Sequence, residues 1–235
     1  MIVSPASPRR SPASLRGTQT WVLDLDNTLY PASCGLFPQI ADRMTEYVAK
    51  LLDVDHGPAA EIRTRYFRQY GTTLRGLMRN HNIDPRHFLD FVHDIDYSPV
   101  TADPGLEDSL RQLPGRKLVF TNGTVAHARA ALDRLGITER IDGIFDIIAA
   151  DYDPKPNPFP YQALVRRFGF DPARAVMADD LPANLTVAAR MGMTTLWVKP
   201  PAGGGEDGLA ETAAGADHVT ENLADWLAEL VQEAS

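Results

Sequence analysis

The stretch Trp21-Val22-Leu23-Asp24-Leu25-Asp26-Asn27-Thr28-Leu29-Tyr30 predicts a buried β-strand that ends in an acidic loop. Its apolar residues run directly into two carboxylates, and polar, turn-forming residues follow. Because alternate residues of a strand point the same way, Asp24 and Asp26 are expected to face one site. Two acids placed in this way repel each other, and a divalent cation is the usual remedy. A plain buried strand that ends in a polar turn has the same pattern, so the rest of the chain must decide.

The second half of the chain alternates short apolar segments with helical ones. Strands are predicted at 117–120, 145–150, 175–178, 194–198 and 218–219, and helices at 124–135, 157–168, 182–190 and after residue 220. This alternation is typical of an α/β fold in which a parallel sheet is covered by helices on both faces. Ligands of such sheets bind beyond the carboxyl ends of the strands.

A helical block is predicted between the first strand and this alternating region. Apolar residues recur at intervals of three and four between positions 36 and 51 and again between 62 and 70, and Asp84-Pro85 begins a further helix. Residues 33–98 are therefore expected to be helical. Residues 1–19, rich in Ser, Pro and Arg, are expected to form a disordered extension, and the Gly-rich residues 200–216 a loop.

Polar residues also follow the second predicted strand. Thr121-Asn122-Gly123 offers a hydroxyl, an amide and a glycine that lets backbone N–H groups turn toward an anion. The same triplet is common in ordinary turns. Further along, Lys155 lies between two prolines, which restrict where its ammonium group can go. A loop lysine more often serves only solubility, so neither feature decides the function alone.

Two adjacent acids, Asp179 and Asp180, end a further apolar strand just before a helix. A helix N-cap accounts for one of these acids but not for both. The four strand ends together offer several carboxylates, one lysine and a hydroxyl-amide anion site. This set fits phosphoryl transfer through a covalent aspartyl-phosphate, in which a carboxylate attacks, Mg²⁺ cancels charge and donors hold the phosphoryl oxygens.

The order of these motifs resembles the haloacid dehalogenase superfamily over roughly residues 20–200: Asp-x-Asp-x-Thr, a strand-terminal Thr, a later Lys and a late acidic pair. The resemblance implies a Rossmann-like parallel sheet with Asp24 as nucleophile. Asp26 would protonate the leaving alkoxide and later activate water as a base. Thr121 and Asn122 would hold the phosphoryl group, and Lys155 would stabilise the charge on Asp24 and the phosphate.

The resemblance also implies a Mg²⁺ site. Asp24, the backbone carbonyl of Asp26 and the Asp179/Asp180 pair would hold the ion. Asp180 is expected to be the direct ligand because it lies just before the helix, and Asp179 is expected to act through water. Relatives often carry Glu-Asp at this pair, and the shorter Asp179 should still reach the metal through water.

The helical block resembles the small cap domain that many members insert after the first motif. The expected organisation is a cap at residues 33–98 and a core at residues 20–32 and 99–235. Within the cap, the segment 70–76 is expected to contact the leaving group, through Thr72 and Thr73. Strings such as Asp-Leu-Asp-Asn-Thr-Leu-Tyr and Val-Phe-Thr-Asn-Gly are similar to those of the pyrimidine 5′-nucleotidase subfamily. That similarity implies uridine and cytidine monophosphates as substrates.

Composition limits the partners. The chain has 235 residues, 44% of them hydrophobic, and a net charge of −8. An acidic protein of this kind is a poor match for nucleic acid or an anionic membrane, and no apolar run reaches the 18 residues of a membrane span. The single cysteine, Cys34, fits a reducing compartment, so a cytoplasmic location is expected. A small phosphomonoester is the expected partner, and the oligomeric state stays open.

Other functions remain open on the sequence. A hydrolytic dehalogenase would leave Asp26 and the Asp179/Asp180 pair unexplained, because a halide leaves without a proton or a metal. A phosphomutase shares the motifs and differs only in what accepts the phosphoryl group, and phosphoglycolate or a sugar phosphate could replace the nucleotide. A non-catalytic binding module would be expected to lack some of these residues. The six histidines show no metal-ligand spacing and are interpreted as surface or structural residues.

Overall fold

A computed structural model describes residue 15, residues 17–200 and residues 215–234. Within these ranges the chain forms one six-stranded sheet in the order β3-β2-β1-β4-β5-β6, and every neighbouring pair is parallel. The strands are β1 Thr20–Leu23, β2 Arg116–Phe120, β3 Gly143–Phe145, β4 Ala175–Asp179, β5 Thr194–Val198 and β6 His218–Thr220. The predicted α/β fold with a parallel sheet is therefore confirmed.

The central strand β1 is buried on both faces. All four of its residues are buried, and Leu23 is in register with Val119 of β2 and Ala178 of β4. Because successive side chains point to opposite faces, Trp21 and Leu23 join one hydrophobic cluster while Val22 joins another. The acids that follow β1 are consequently placed at the middle of the carboxyl edge of the sheet.

Helices cover both faces of this sheet, and the first four helices follow β1 along the chain. The described helices are α1 Leu36–Leu52, α2 His56–Tyr70, α3 Thr73–His81, α4 Pro85–Val92, α5 Pro104–Gln112, α6 Val125–Leu135, α7 Pro158–Phe168, α8 Pro182–Arg190 and α9 Leu223–Ala234. Helices α5, α6 and α9 pack on one face, and α7 and α8 pack on the other. No helix of the described ranges is long and apolar enough to cross a membrane.

Helices α1 to α4, here called the four-helix block, have a hydrophobic cluster of their own. It includes Ile40, Val48, Leu77 and Phe88, all at most 2% exposed. Local chemistry fixes two helix starts: the Thr72 hydroxyl accepts a hydrogen bond from the N–H of residue 75, and Asp84 caps α4 directly before a proline. The predicted helical character of this segment is confirmed.

The turn between α2 and α3 packs against the loop that carries Lys155. Gly71 has φ +85, and a Cβ built there would lie 3.4 Å from the carbonyl oxygen of Lys155. Arg75 of α3 forms an ion pair with Asp153 of the same loop. Both contacts connect the four-helix block to the carboxyl edge of the sheet.

Most predicted element boundaries agree with the structure. Strand 194–198 and helix 182–190 match, and helix 124–135 begins one residue late because Thr124 is its N-cap. The strand predicted at 145–150 is wrong beyond Phe145, because Asp146 accepts hydrogen bonds from the N–H groups of Val125 and Ala149 and turns the chain. Residues 201–214 of the predicted loop lie outside the described residues.

The predicted N-terminal extension lies mostly outside the described residues as well. Of its described part, Leu15 is 4% exposed and belongs to the hydrophobic cluster that contains Trp21. The N–H of Gln19 donates to the carbonyl of Arg174 at 2.8 Å. The last residues before β1 are therefore in contact with the sheet and its connections.

Candidate active site

Lys155 joins three strand ends at the carboxyl edge of the sheet. Its Nζ donates to Asp24 Oδ1 at 2.7 Å, to Asp179 Oδ2 at 2.7 Å and to the carbonyl of Phe120 at 2.9 Å. The lysine is 2% exposed, and Asp24 and Asp179 are buried as well. A buried ammonium is stable only when it is paired and fully hydrogen-bonded, and this one uses all three of its donors.

Asn122 holds the loop that presents this lysine. Its side-chain Oδ1 accepts from the backbone N–H of Lys155 at 2.9 Å, and its Nδ2 donates to the backbone carbonyl of Lys155 at 3.3 Å. Asn122 also lines the cavity described below. The neighbouring Thr121 is 1% exposed, and its hydroxyl oxygen accepts from the N–H of Gly123 at 2.8 Å.

The acidic pair after β4 is divided between two environments. Asp179 is fully buried, and its Oδ1 accepts from the N–H of Leu181 at 2.9 Å and from Asn184 Nδ2 at 2.8 Å, while Oδ2 accepts from Lys155. Asp180 is 8% exposed and lines the cavity. Protein donors thus engage both carboxylate oxygens of Asp179, and Asp180 is among the residues that line the cavity.

These acids form a group that could hold a metal ion. One carboxylate oxygen each from Asp24, Asp179 and Asp180 lies within 4.8 Å of the others. Carboxylate oxygens are the ligands that Mg²⁺ and other hard divalent cations prefer. The donor set therefore fits a divalent cation. Asp24 follows β1, and Asp179 and Asp180 lie at the end of the neighbouring strand β4.

The charges of the group are unbalanced without such a cation. Burial raises the pKa of Asp24, the positive charge of Lys155 opposes this rise, and the carboxylates of Asp179 and Asp26 add to it. Burial lowers the pKa of Lys155, but the two carboxylates outweigh burial and raise that pKa above its usual value. Lys155 therefore remains an ammonium, while the ionised form of Asp24 needs more positive charge nearby.

Asp26 lies in a hydrogen-bond network that the sequence did not predict. Its Oδ1 accepts from the Tyr30 hydroxyl and from His127 Nε2, the latter at 2.8 Å. Burial alone would favour the neutral acid, but His127 and Tyr30 lower the pKa of Asp26 to about 2. The hydroxyl of Tyr97 lies 2.9 Å from His127 Nδ1. His127 is therefore a site residue, although its sequence context suggested only a structural histidine.

A cavity of about 120 Å³ lies between the carboxyl edge of the sheet and the four-helix block. The sheet contributes polar groups to its wall, namely Asp24, Asp26, Asn122, Lys155 and Asp180. The block contributes mainly apolar side chains, including Phe37, Ile40, Met44, Phe67, Leu74 and Phe88. The wall from the sheet is thus mainly charged, and the wall from the block is mainly apolar but includes Arg63, Thr72 and Thr73.

The predicted leaving-group residues of the block are at this cavity. Thr72 and Thr73 both line it, with Thr72 also capping α3 and Thr73 4% exposed. Of the aromatic residues 66, 67 and 70, Phe67 lines the cavity, whereas Tyr66 packs edge-on against Tyr70 with ring centroids 5.9 Å apart. Phe67 is therefore the aromatic ring of this segment that a ligand can contact.

Comparisons with known proteins agree with this geometry. The family model for haloacid dehalogenase-like hydrolases matches residues 18–192. Phosphate metabolism protein 8 of Saccharomyces cerevisiae is 28% identical over 193 residues, which are 74% of this chain and 60% of that protein. The chain thus spans well under two thirds of the length of this curated relative.

Solved structures of two different activities share the fold. A HAD phosphatase from Thermococcus onnurineus has a TM-score of 0.57 and 18% identity, with 93% of this chain and 98% of that chain covered. L-2-haloacid dehalogenase from Xanthobacter autotrophicus has a TM-score of 0.56 and 17% identity, with 93% and 100% covered. These likenesses support the fold and do not choose between the activities. Because the family model covers most of the sequence and includes the acids, the lysine and strands β1 to β4, the chain belongs to the haloacid dehalogenase-like hydrolases.

Proposed function

We propose that this protein is a Mg²⁺-dependent phosphomonoester hydrolase that works through an aspartyl-phosphate on Asp24. The observation that carries the proposal is the lysine-centred group: Lys155 Nζ bridges Asp24 and Asp179 at 2.7 Å each, and Asp180 lies beside them. A dehalogenase has no need of a metal-binding acid pair or of a second acid near the nucleophile. The group therefore favours phosphoryl transfer over dehalogenation.

In this mechanism the two acids after β1 have different tasks. Asp24 attacks phosphorus, and the bond between phosphorus and the ester oxygen breaks. Asp26 is a carboxylate in the protein alone, because its pKa is about 2. It takes up the proton that a singly protonated phosphate ester brings, gives that proton to the departing alkoxide, and later takes a proton from the water that hydrolyses the aspartyl-phosphate. Lys155 holds Asp24 in place and offsets negative charge as it develops on the phosphoryl oxygens. Asn122 acts with it by fixing the lysine loop and by facing the phosphoryl group, and Thr121 supports the same strand end.

The proposed metal site consists of Asp24, Asp180 and the backbone carbonyl of Asp26. Asp179 would contribute through water, because its own oxygens are engaged by Lys155, Leu181 and Asn184. A bound Mg²⁺ supplies positive charge that keeps Asp24 ionised and offsets the charge of the phosphate. That positive charge would lower the pKa of Asp24, which burial and the neighbouring carboxylates raise.

Residues 33–98 are proposed to be a cap that closes over a core formed by residues 20–32 and 99–235. A cap of this kind excludes water and selects the leaving group. Thr72 and Thr73 would contact the leaving group, and Phe67 would stack on a base. Pyrimidine nucleoside 5′-monophosphates are the proposed substrates, because an aromatic ring and two hydroxyl groups suit a base and a ribose.

The volume of the cavity favours a second candidate. Its 120 Å³ is well below the roughly 300–1,000 Å³ of sites that bury drug-sized ligands. A smaller phosphate ester such as phosphoglycolate fits a cavity of this volume better, whereas a nucleotide needs the four-helix block to move away from the sheet. The substrate screen below decides between the two.

The test is phosphate release from nucleoside monophosphates, sugar phosphates and phosphoglycolate, with Mg²⁺ and with chelator. Wild-type protein is expected to release phosphate only with Mg²⁺, and Asp24→Asn to lose on the order of 10⁴-fold in kcat. Asp108→Asn is the matched control, because Asp108 pairs with Arg111 on the exposed surface of α5. Activity that survives in Asp24→Asn would rule out the mechanism. Preference for purine nucleotides or sugar phosphates would rule out the pyrimidine assignment alone.

A further inference from the structure

We propose that His127 is a positioning residue that fixes the Asp26 carboxyl group so that Oδ2 is the oxygen that exchanges protons with the substrate. The proposal rests on the phosphatase function proposed above. His127 is the third residue of α6, and its side chain is fully buried. Its role would be to act on Asp26 rather than on the substrate.

The hydrogen bonds to Asp26 are asymmetric. His127 Nε2 and the Tyr30 hydroxyl both reach Oδ1. Tyr30 is itself fully buried, while the Asp26 side chain is 17% exposed and lines the cavity. Two donors on one oxygen fix the rotation of the carboxyl group about its terminal bond. Oδ2 is thereby left on the side that can face the cavity and carry the transferred proton.

The imidazole ring of His127 is itself held from three directions. The Tyr97 hydroxyl lies 2.9 Å from Nδ1 and 3.4 Å from the carbonyl of His93. Because a carboxylate only accepts hydrogen bonds, Nε2 carries the proton of the contact with Asp26. His93 stacks on the ring with centroids 4.5 Å apart and an interplanar angle of 11°. At the ring edge, a Cβ added to Gly123 would lie 2.9 Å from Cδ2. These contacts leave the ring one orientation, and that orientation presents Nε2 to Asp26.

The position of the proton matters in both half-reactions. In the first, the bond between Asp24 and phosphorus forms, the ester P–O bond breaks, and the proton on Asp26 Oδ2 moves to the departing oxygen. In the second, Asp26 Oδ2 takes a proton from water, the water oxygen bonds to phosphorus, and the bond from Asp24 to phosphorus breaks. A carboxyl group that rotates freely would present the proton to the substrate less often. Loss of the His127 hydrogen bond should therefore slow only the steps that transfer this proton.

This dependence provides a readout that a structural role would not give. An alkyl phosphomonoester leaves as an alkoxide and needs the proton, whereas p-nitrophenolate is a stable anion and leaves without one. The measured quantity is the ratio of kcat/KM for an alkyl ester to kcat/KM for p-nitrophenyl phosphate. Because kcat/KM covers steps up to loss of the leaving group, slow hydrolysis of the aspartyl-phosphate does not mask the effect.

The matched variants are His127→Gln and His127→Asn. Both variants place an amide in the same buried position. The amide nitrogen of glutamine can occupy the position of His127 Nε2 and donate to Asp26, whereas the amide nitrogen of asparagine reaches only the position of Nδ1. The alkyl substrate is uridine 5′-monophosphate or phosphoglycolate, whichever the wild-type protein hydrolyses faster. We expect the ratio to fall about 10-fold or more in His127→Asn and to stay within about 3-fold of wild type in His127→Gln.

Two further variants separate this effect from simple damage to α6. Thr124→Ala removes the N-cap hydroxyl that accepts from the N–H of His127, so it should lower the melting temperature and leave the ratio unchanged. Tyr97→Phe removes only the hydroxyl at Nδ1 and should lower the ratio in the same direction as His127→Asn. Folding of each variant is checked by circular dichroism.

The outcomes are distinct. Equal ratios in folded His127→Asn and His127→Gln, or a wild-type ratio in both His127→Asn and Tyr97→Phe, would overturn the positioning role while leaving the phosphatase function intact. Absence of Mg²⁺-dependent phosphate release from every ester by the wild-type protein would overturn the proposed function and the positioning role with it. A selective fall in His127→Asn with rescue in His127→Gln would support both.

Discussion

Replacing Lys155 with methionine is expected to lower the free energy of unfolding by about 3–5 kcal/mol, the usual cost of removing one partner of a buried ion pair. The methionine keeps most of the buried alkyl chain but leaves Asp24 and Asp179, both nearly inaccessible to solvent, without their shared cation. The carbonyl of Phe120 also loses its donor at 2.9 Å. If Asp24 or Asp179 takes up a proton in the variant, the buried negative charge is reduced, and the loss of unfolding free energy should lie at the lower end of this range.

The magnitude is large enough for a simple assay. For a domain of this size, 1 kcal/mol shifts the melting midpoint by roughly 2–4 °C, so Lys155→Met should melt roughly 6–20 °C below wild type at pH 7. Protonation removes the unpaired negative charge, so the difference between the two proteins should narrow as the pH falls. Mg²⁺ should recover part of the loss if the acids bind it, because the ion replaces the missing positive charge.

The control is Lys50→Met, which makes the same substitution at a surface ion pair. Lys50 is 64% exposed and pairs with Glu46 one helical turn away, so its loss should cost less than about 1 kcal/mol. A folded Lys155→Met protein that unfolds within about 0.5 kcal/mol of wild type at pH 7 would refute the reasoning. In that case the lysine would not be compensating the buried carboxylates.

Two further predictions concern the four-helix block and the segment that follows it. Burial lowers the pKa of His93 from 6.5 to about 3. Between pH 6.5 and pH 3 the unfolded chain therefore binds a proton at this histidine and the folded protein does not. The free energy of unfolding consequently decreases as the pH falls below 6.5. Urea unfolding should show a loss of about 2 kcal/mol from pH 7 to pH 5 that His93→Gln lacks, and equal pH slopes in the two proteins would contradict the burial argument. A Cβ added to Gly76 would overlap Cβ and Cγ of Tyr66, so Gly76→Ala should destabilise by about 1–3 kcal/mol, whereas Gly57→Ala, with nothing within 4 Å, should not destabilise. Equal melting temperatures for the two alanine variants would show that Tyr66 yields without cost.

The fold could be predicted because its signals are local. Strands β1, β2, β4 and β5 are mainly apolar runs of four or five residues, and several helices carry a start signal, such as Thr124 before α6. Parallel strands place their carboxyl ends along one edge, so the residues after β1 and β4 were expected to meet. The structure brings Asp24, Lys155 and Asp179 into direct contact.

The network around Asp26 could not be predicted in the same way. His127 reaches Asp26 from 101 positions further along the chain, and it does so only because β2 lies beside β1 and α6 begins directly above that strand end. Tyr30 is 4 residues from Asp26, and in an extended strand the two residues would lie about 13 Å apart. The turn at residues 26–29 instead brings the Tyr30 hydroxyl to the Asp26 carboxylate. The sequence feature that could have indicated His127 as a site residue is its position in the first turn of the helix that follows Thr121-Asn122-Gly123.

The role of Asn122 illustrates a related limit. Its position after β2 suggested a donor for phosphate, and it does line the cavity. Both ends of its amide, however, are bonded to the backbone of Lys155, 33 residues away in sequence. Residue type and position at a strand end indicate that a side chain belongs to a site, whereas its bonding partners depend on loops whose paths the sequence pattern does not define.

The contact at Gly71 bears on how this protein could acquire new specificity. Gly71 has φ +85, which residues with a side chain rarely adopt, and a Cβ there would lie in van der Waals contact with the carbonyl of Lys155 and with Pro154. Changes in the turn between α2 and α3 would therefore strain the backbone beside the central lysine before they altered recognition. Met44 of α1 and Leu89 of α4 line the apolar wall of the cavity. Mutational drift toward new substrates should therefore accumulate in α1 and α4, while the turn at Gly71 stays under the constraint of catalysis.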